Sequence, residues 1–391
     1  MDPIWLIDRS RVETRQACPR KRFLQYDYAG TGLEPEEPSL PLLSGVAFHL
    51  ALSRVLEGEP LEGVLHDILS TYRAEIAQKG LAGLDVTPDL VAQQSALLEG
   101  IVRLWTAVRL PRILDDYDVV SVEKAWLWRL APDIAQSFRF DALVRRKADG
   151  LYFIKDWKTV KHPSDVWFEK FEHNLQTTLY LQALKERIGD LTGDPHAQVG
   201  GILYEGIVKG TFRKDTAKSS PFYGQRIVQS PYTIAYRLQT EAGPIYQFEY
   251  TNRKGFEKVR TFDEMPMKEW VERHMLPSPE LTNDLFIPLV DICPPARELE
   301  RAKRQVITEE RAYRDALRQL AALGDDPSFG GTFEDVLDDT VPMRVDRCFQ
   351  YGSEHLCPFL SVCFNANAQP LDNGGFKPRV PHHDTDIQMV N

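Results

Sequence analysis

The chain has no run of about 18 consecutive apolar residues, so no membrane-spanning helix is expected. Its opening residues, Met1 to Asp8, lack a basic segment followed by an apolar one, so no secretory leader is expected and the predicted location is cytoplasmic. No Gly-x-x-x-x-Gly-Lys-Ser/Thr segment occurs, which excludes an ATP-driven motor of the phosphate-loop type within these residues. No internal repeat is visible. Cysteine is sparse, five in 391 residues, and no two stand as Cys-x-x-Cys, the knuckle spacing of most structural zinc sites. In a reducing compartment the cysteines are read as metal ligands rather than disulfide partners.

Apolar residues make up 43% and charged residues 27% of the chain, the balance of a soluble globular protein with a substantial core. The net charge of −10 argues against indiscriminate coating of duplex DNA. Positive charge is nevertheless concentrated. Arg9, Arg11, Arg15, Arg20, Lys21 and Arg22 surround Cys18, and Lys209, Arg213, Lys214, Lys218 and Arg226 form a second group. Such tracks suit a protein that threads a strand past one site; solvated helix faces and a loop would explain each run equally well.

The most informative segment runs from Ser137 to Thr159. It reads as a β-hairpin turned by Gly150, with Asp141 on the first strand and Asp156-Trp157-Lys158 ending the second. Alternation along a strand puts Asp156 and Lys158 on one face and Trp157 on the other. Pairing of the strands brings Asp141 beside Asp156, the arrangement a divalent cation and a water need for attack on phosphorus. Asp-x-Lys by itself is also common on surface hairpins. Downstream, Gln176 and Tyr180 share a helix face at i, i+4. Upstream, Ser44 is predicted to cap a helix carrying Gly45 and His49, the latter a candidate imidazole ligand. Glu123, on a strand near 117–129, is read as a surface glutamate on an edge strand, with an extra site carboxylate as the alternative.

The remaining pattern is Cys18-Pro19 in a basic helix and Cys348, Cys357 and Cys363 near the other end. Taken in order, this set resembles the PD-(D/E)xK nuclease superfamily, and within it the RecB-like branch with an iron–sulfur staple. That branch includes CRISPR-adaptation exonucleases, nuclease domains of recombination helicase–nucleases and phage-encoded relatives. The resemblance spans Cys18 to Cys363. It implies an α/β, restriction-endonuclease-like fold, a mixed central sheet flanked by helices, with helical additions and a C-terminal cysteine segment.

It further implies His49, Asp141, Asp156 and the Trp157 carbonyl as metal ligands, Lys158 as catalytic lysine, and Gln176 and Tyr180 as the supporting pair. The metal would be Mn2+ or Mg2+, with imidazole favouring Mn2+. Cys18, Cys348, Cys357 and Cys363 would hold a [4Fe-4S] cluster, with Zn2+ as the alternative; Cys293 is left over as a buried or free thiol. Three departures stand out: Phe140 rather than proline precedes the first acid, the second acid is Asp rather than Glu, and the first C-terminal cysteine gap is wide. The implied activity is an exonuclease acting on DNA, single-stranded or at a free end, in recombination, repair or phage DNA processing. A weakly active or inactive DNA-binding subunit on the same scaffold is the alternative. The residues name no helicase or recombinase partner.

The expected organisation is an N-terminal basic helix from Ser10 to about Tyr26 within 1–44 and a nuclease core over 45–207. An inserted loop or subdomain over 208–243 and further core elements over 244–340 follow. The cysteine segment occupies 341–369 and a disordered tail 370–391. Helices are predicted near 61–78, 88–109, 165–188, 262–274 and 297–323, the last a solvated bridging helix. Strands are predicted at 197–207 and 245–251, and a loop at 324–340.

Overall fold

The fold is described from a computed structural model. It describes residues 4–380 apart from 82–83, 161–164, 210, 215–225, 230–232, 241–242, 255–256, 278–284, 325–332, 349–355, 366–369 and 373–374. The last eleven residues, with His382 and His383, lie outside the described residues, as does Lys218.

The predicted hairpin forms between Ala142–Arg146 and Tyr152–Val160 and is the centre of the fold, but its first strand is shorter than expected: Ser137 belongs to a strand of another sheet, and Asp141 stands just before the hairpin rather than on its first strand. After β1 (Trp5–Asp8), α1 (Arg9–Ala17), α2 (Pro19–Tyr26) and β2 (Leu33–Pro35) come three helices, α3 (Leu40–Leu56), α4 (Leu61–Lys79) and α5 (Pro88–Val108). Then follow α6 (Leu110–Asp116), β3 (Tyr117–Val122), β4 (Ala125–Ala131), β5 (Ile134–Arg139), β6 (Ala142–Arg146) and β7 (Tyr152–Val160). Gly150, at φ 75, makes the turn between β6 and β7 that a side chain would strain. The helices α7 (Asp165–His173) and α8 (Leu175–Thr192) cross to β8 (Val199–Val208), which lies parallel to β7. A parallel neighbour requires such a helical crossover.

Beyond β8 come β9 (Thr211–Lys214), β10 (Arg226–Gln229), β11 (Thr233–Thr240), β12 (Gly243–Lys254), β13 (Glu257–Met265), α9 (Met267–Trp270) and β14 (Phe286–Ile292). The central sheet has five strands in the order β14-β8-β7-β6-β3. A second sheet, β1-β5-β4, packs beside it, and β11-β12-β13 form a third.

Alternation along β7 divides the interior. Phe153 and Trp157 enter the core made with α3, α4 and α5, while Ile154 and Tyr152 enter the core made with α8 and the β1-β5-β4 sheet. The chain then runs through α10 (Ala296–Gly324), α11 (Phe333–Thr340), α12 (Val345–Cys348), α13 (Leu360–Cys363) and β15 (Phe376–Pro378). The long helix α10 does bridge, but it is not solvated all round. Leu299, Val306, Tyr313 and Leu320, seven residues apart, form a buried stripe against α8 at one end and α2 and α11 at the other.

Several expected boundaries differ, each for a local reason. The first helix breaks at Cys18, whose extended backbone ends α1 and caps α2, and its N-cap is Asp8 rather than Ser10. The helix of His49 starts at Leu40, behind Ser39 with Pro41 in its first turn; Ser44 is therefore interior and bonds back to Leu40 O at 2.9 Å. The 165–188 helix breaks at Asn174, whose side chain caps Thr177. The 117–129 strand divides at Glu123, which has φ 46. The 262–274 helix is strand up to Met265, because pairing with β12 overrides local propensity. Phe333–Thr340 is helix rather than loop, and Phe376–Pro378 pairs with β2 inside the supposed tail.

Beneath the hairpin lies a charged cluster. Lys155 and Glu205 are fully buried and their side chains meet at 2.6 Å; Arg109 bonds the same carboxylate, and Trp157 Nε1 donates to it at 3.2 Å. Burial opposes the charge on Glu205, but Lys155 and Arg109 outweigh it and hold its pKa below the usual carboxylate range. A single glutamate inside the otherwise uncharged β8 was the legible hint. Glu205→Ala leaves the buried Lys155 and the half-buried Arg109 without their counter-charge and is expected to cost about 3–5 kcal/mol; an unchanged midpoint in urea unfolding would refute this. Because the folded carboxylate has the lower pKa, its stabilisation is present above the unfolded value, near 4.3, and disappears as pH falls through the folded one.

Candidate active site

Register across the hairpin determines the site. Ala142 pairs with Lys155, so Asp141, one residue before β6, stands across from Asp156. Asp141 Oδ2 accepts the backbone N–H of Trp157 at 2.8 Å and meets His49 Nδ1 at 3.1 Å. Asp156 Oδ1 is ion-paired with Lys158 Nζ, and its Oδ2 accepts from Gln176 Nε2 at 2.7 Å. Asp156 is almost completely buried; Lys158 keeps about a quarter of its side chain exposed to the cavity.

Electrostatics separates the two aspartates. Burial resists ionisation of Asp141, yet His49 and Lys158 hold its carboxyl at about 2. Asp156 moves the other way: burial raises its pKa, and the charge of Asp141 adds to this against the pull of Lys158. Burial also works against a charged His49, but Asp141 prevails and the imidazole pKa is raised. Acids this close form a set that a divalent cation would relieve.

Every residue predicted at the site is brought to one cavity of about 580 Å3, except Trp157. Trp157 contributes its N–H, while its buried indole lies on the opposite face against Trp105 and the edge of His49. Tyr180 lines the cavity and packs on Phe140 and Phe138. Gly45 lines it as well, and among the described residues a methyl group there would meet nothing within 4 Å beyond its chain neighbours and its own helix backbone.

Two further residues belong to the cavity: Glu123, read from the sequence as a surface glutamate with a site carboxylate as the alternative, and Arg9, read only as part of the basic run. Glu123 is not a surface group: a ligand atom from each of His49, Glu123 and Asp141 lies within 4.8 Å of the others. Its left-handed φ, a conformation rare outside glycine, turns the carboxylate inward, where Ser53 Oγ donates at 3.3 Å and Arg139 pairs at 2.9 Å. Burial and the neighbouring Asp141 raise its pKa. Nothing in the sequence marks that backbone. The other residue is Arg9, whose Nη1 donates to Gln176 Oε1 at 2.8 Å. It therefore orients the amide that holds Asp156. A cation at a helix N-terminus opposes the helix dipole, and that anomaly was the readable signal.

The rest of the N-terminal basic run does not form an open track. Arg15 pairs with Glu309, Arg20 with Asp338 and the Val341 carbonyl, and the fully buried Arg22 with Glu310. These pairs tie α1 and α2 to the C-terminal third.

The four cysteines converge there. Cys18 Sγ accepts backbone N–H groups from Lys21 at 3.5 Å and from Arg344 at 3.4 Å, and Cys357 N–H donates to the Cys348 carbonyl at 3.2 Å. Burial raises the Cys348 thiol, with Cys357 and Cys18 adding to it; Cys363 is pushed up to about 12 by burial, with the other three cysteines contributing. Cys293 is exposed and stands apart, near Lys185.

A family model described as PD-(D/E)XK nuclease superfamily matches residues 9–364. The chain belongs to that superfamily of metal-dependent nucleases, and its mixed sheet flanked by helices is the restriction-endonuclease-like fold. No curated protein matches the chain. No helix among the described residues is long and apolar enough to cross a membrane.

Arg9→Ala frees the Gln176 amide and is expected to lower the cleavage rate about 10- to 100-fold at saturating metal, with Arg9→Lys recovering part of it. Wild-type turnover in Arg9→Ala, measured on a labelled oligonucleotide, would exclude the positioning role.

Proposed function

We propose that this chain is an exonuclease that hydrolyses DNA phosphodiesters from a free end or along a single strand, with a [4Fe-4S] cluster as its structural staple. The observation that carries it is the facing pair Asp141 and Asp156, with Lys158 and Gln176 on one and His49 and Glu123 beside the other, around a single cavity. A cavity of this volume has the size of small-ligand pockets and suits a short stretch of one strand rather than the flank of a duplex.

Asp141, Asp156 and His49 would hold Mn2+ or Mg2+, with Glu123 and the Trp157 carbonyl completing the shell; the mixed imidazole and carboxylate set favours Mn2+. Bound there, the cation would supply Lewis acidity and a water acidified towards neutral pH. Lys158, the exposed partner of Asp156, would orient that water and offset charge building on the phosphate oxygens. Gln176 keeps Asp156 aimed at the cavity, and Tyr180 walls the floor beside it. Asp156→Ala and Lys158→Ala are each expected to reduce cleavage at least about 10²–10³-fold while the circular dichroism spectrum is retained. Wild-type cleavage by either variant would sink the site. Linear and circular substrates with distinct end labels decide between attack from ends and internal cleavage.

For the cluster, the convergence of Cys18 with Cys348, Cys357 and Cys363 supports the assignment, as do the N–H donors aimed at Cys18 sulfur. Structural zinc sites mostly use Cys-x-x-Cys knuckles, and none occurs here, which favours an iron–sulfur cluster over Zn2+. Because metal binding becomes folding free energy, Cys18→Ala is expected to lower the thermal midpoint and to abolish visible absorbance and bound iron. Zinc in place of iron in anaerobically purified protein, or an unchanged midpoint, would overturn the assignment.

A further inference from the structure

The helix face of α3 that delivers His49 to the site also carries Leu42, Val46 and Leu50, at i, i+4 and i+8. All three line the catalytic cavity, and they are 61%, 59% and 46% exposed. Aliphatic side chains in line and this open to water are costly to leave bare, and an apolar ridge beside reactive groups marks a binding surface. Gly45 leaves room on the same face: among the described residues, a methyl group there would meet nothing within 4 Å beyond its chain neighbours and its own helix backbone. The cavity also holds cations, Arg9, Arg139 and Lys158.

We infer that this ridge is a nucleobase shelf, so that the substrate of the site is an unpaired strand whose bases lie on Leu42, Val46 and Leu50 while its phosphates face the cations. The inference rests on the nuclease reading and specifies its substrate. In a duplex the base faces are stacked inside and only phosphates and groove edges face outward, so an aliphatic ridge would gain nothing from it. In a single strand the base faces are free, and apolar side chains seat against them as they do when they wedge between base steps. Leu42 to Leu50 spans about 12 Å of helix, room for about three bases at the 3.4 Å stacking step. The shelf recognises faces rather than edges, and it therefore carries no sequence preference.

The test compares three substrates with the full-length protein and Mn2+: a labelled single strand, the same strand with its three terminal bases replaced by abasic sites, and a blunt duplex. The wild-type protein is expected to prefer the single strand over the duplex, and abasic sites are expected to raise KM about tenfold. The triple variant Leu42→Ser, Val46→Ser, Leu50→Ser is expected to raise KM similarly on the intact strand and to lose discrimination against the abasic one. Leu42→Ser alone, at the most exposed position, gives the same direction at smaller size if the triple variant folds poorly. A wild-type KM in both variants, indifference of the wild-type protein to abasic sites, or a preference for the duplex overturns the shelf while leaving the nuclease intact. Absence of cleavage of any substrate by the wild-type protein overturns the nuclease reading and the shelf with it.

Discussion

Asp141, Asp156 and Glu123 line one cavity, and such concentration of like charge is tolerable only because each carboxylate has a designated cation or donor. His49 and the Trp157 amide answer Asp141, Lys158 and Gln176 answer Asp156, and Arg139 and Ser53 answer Glu123. The result is asymmetric. Asp141 stays ionised far below neutral pH while Asp156 and Glu123 are driven upward. Sites that divide the protonation of neighbouring acids in this way are places where chemistry is done.

The underside of the same strand inverts the arrangement. Lys155 and Arg109 converge on one carboxylate, Glu205, beneath the place where the acids gather. Four consecutive residues of β7 therefore read cation below, acid above, indole below, cation above, and strand pleating alone separates these from one another. Slipping the register by one residue would bury Asp156 and Lys158 against the α5 layer and lift Lys155 into the cavity. The packing of Trp157 between Trp105 and the edge of His49 opposes that slip. Core packing and site geometry are one constraint here.

What could be read from the sequence was what depends on short spacing. Asp-x-Lys on a strand and Gln-x-x-x-Tyr on a helix have their geometry set within four residues, and both emerge as expected. The hairpin was legible because Gly150 marks its turn. What stayed hidden depends on distant partners or on backbone that composition does not encode. Glu123 enters the site through one left-handed φ in what reads as a continuous strand. Arg9 counts only because Gln176, 167 positions away, folds against it. The helix breaks at Cys18 and Asn174 were missed because side-chain caps there compete with an uninterrupted apolar period.

The connection between the two ends of α1 follows from the same pairings. Asp8 caps the helix, Arg9 reaches Gln176, and nine residues later Cys18 lies among the C-terminal cysteines. A nine-residue helix is a short rigid lever, and α2 beyond it is anchored to α10 through the buried Arg22–Glu310 pair. Contacts therefore run without a break from the cysteine end of this helix to the amide that bonds Asp156. The same short helix joins segments more than three hundred residues apart in sequence to the donor set of the site.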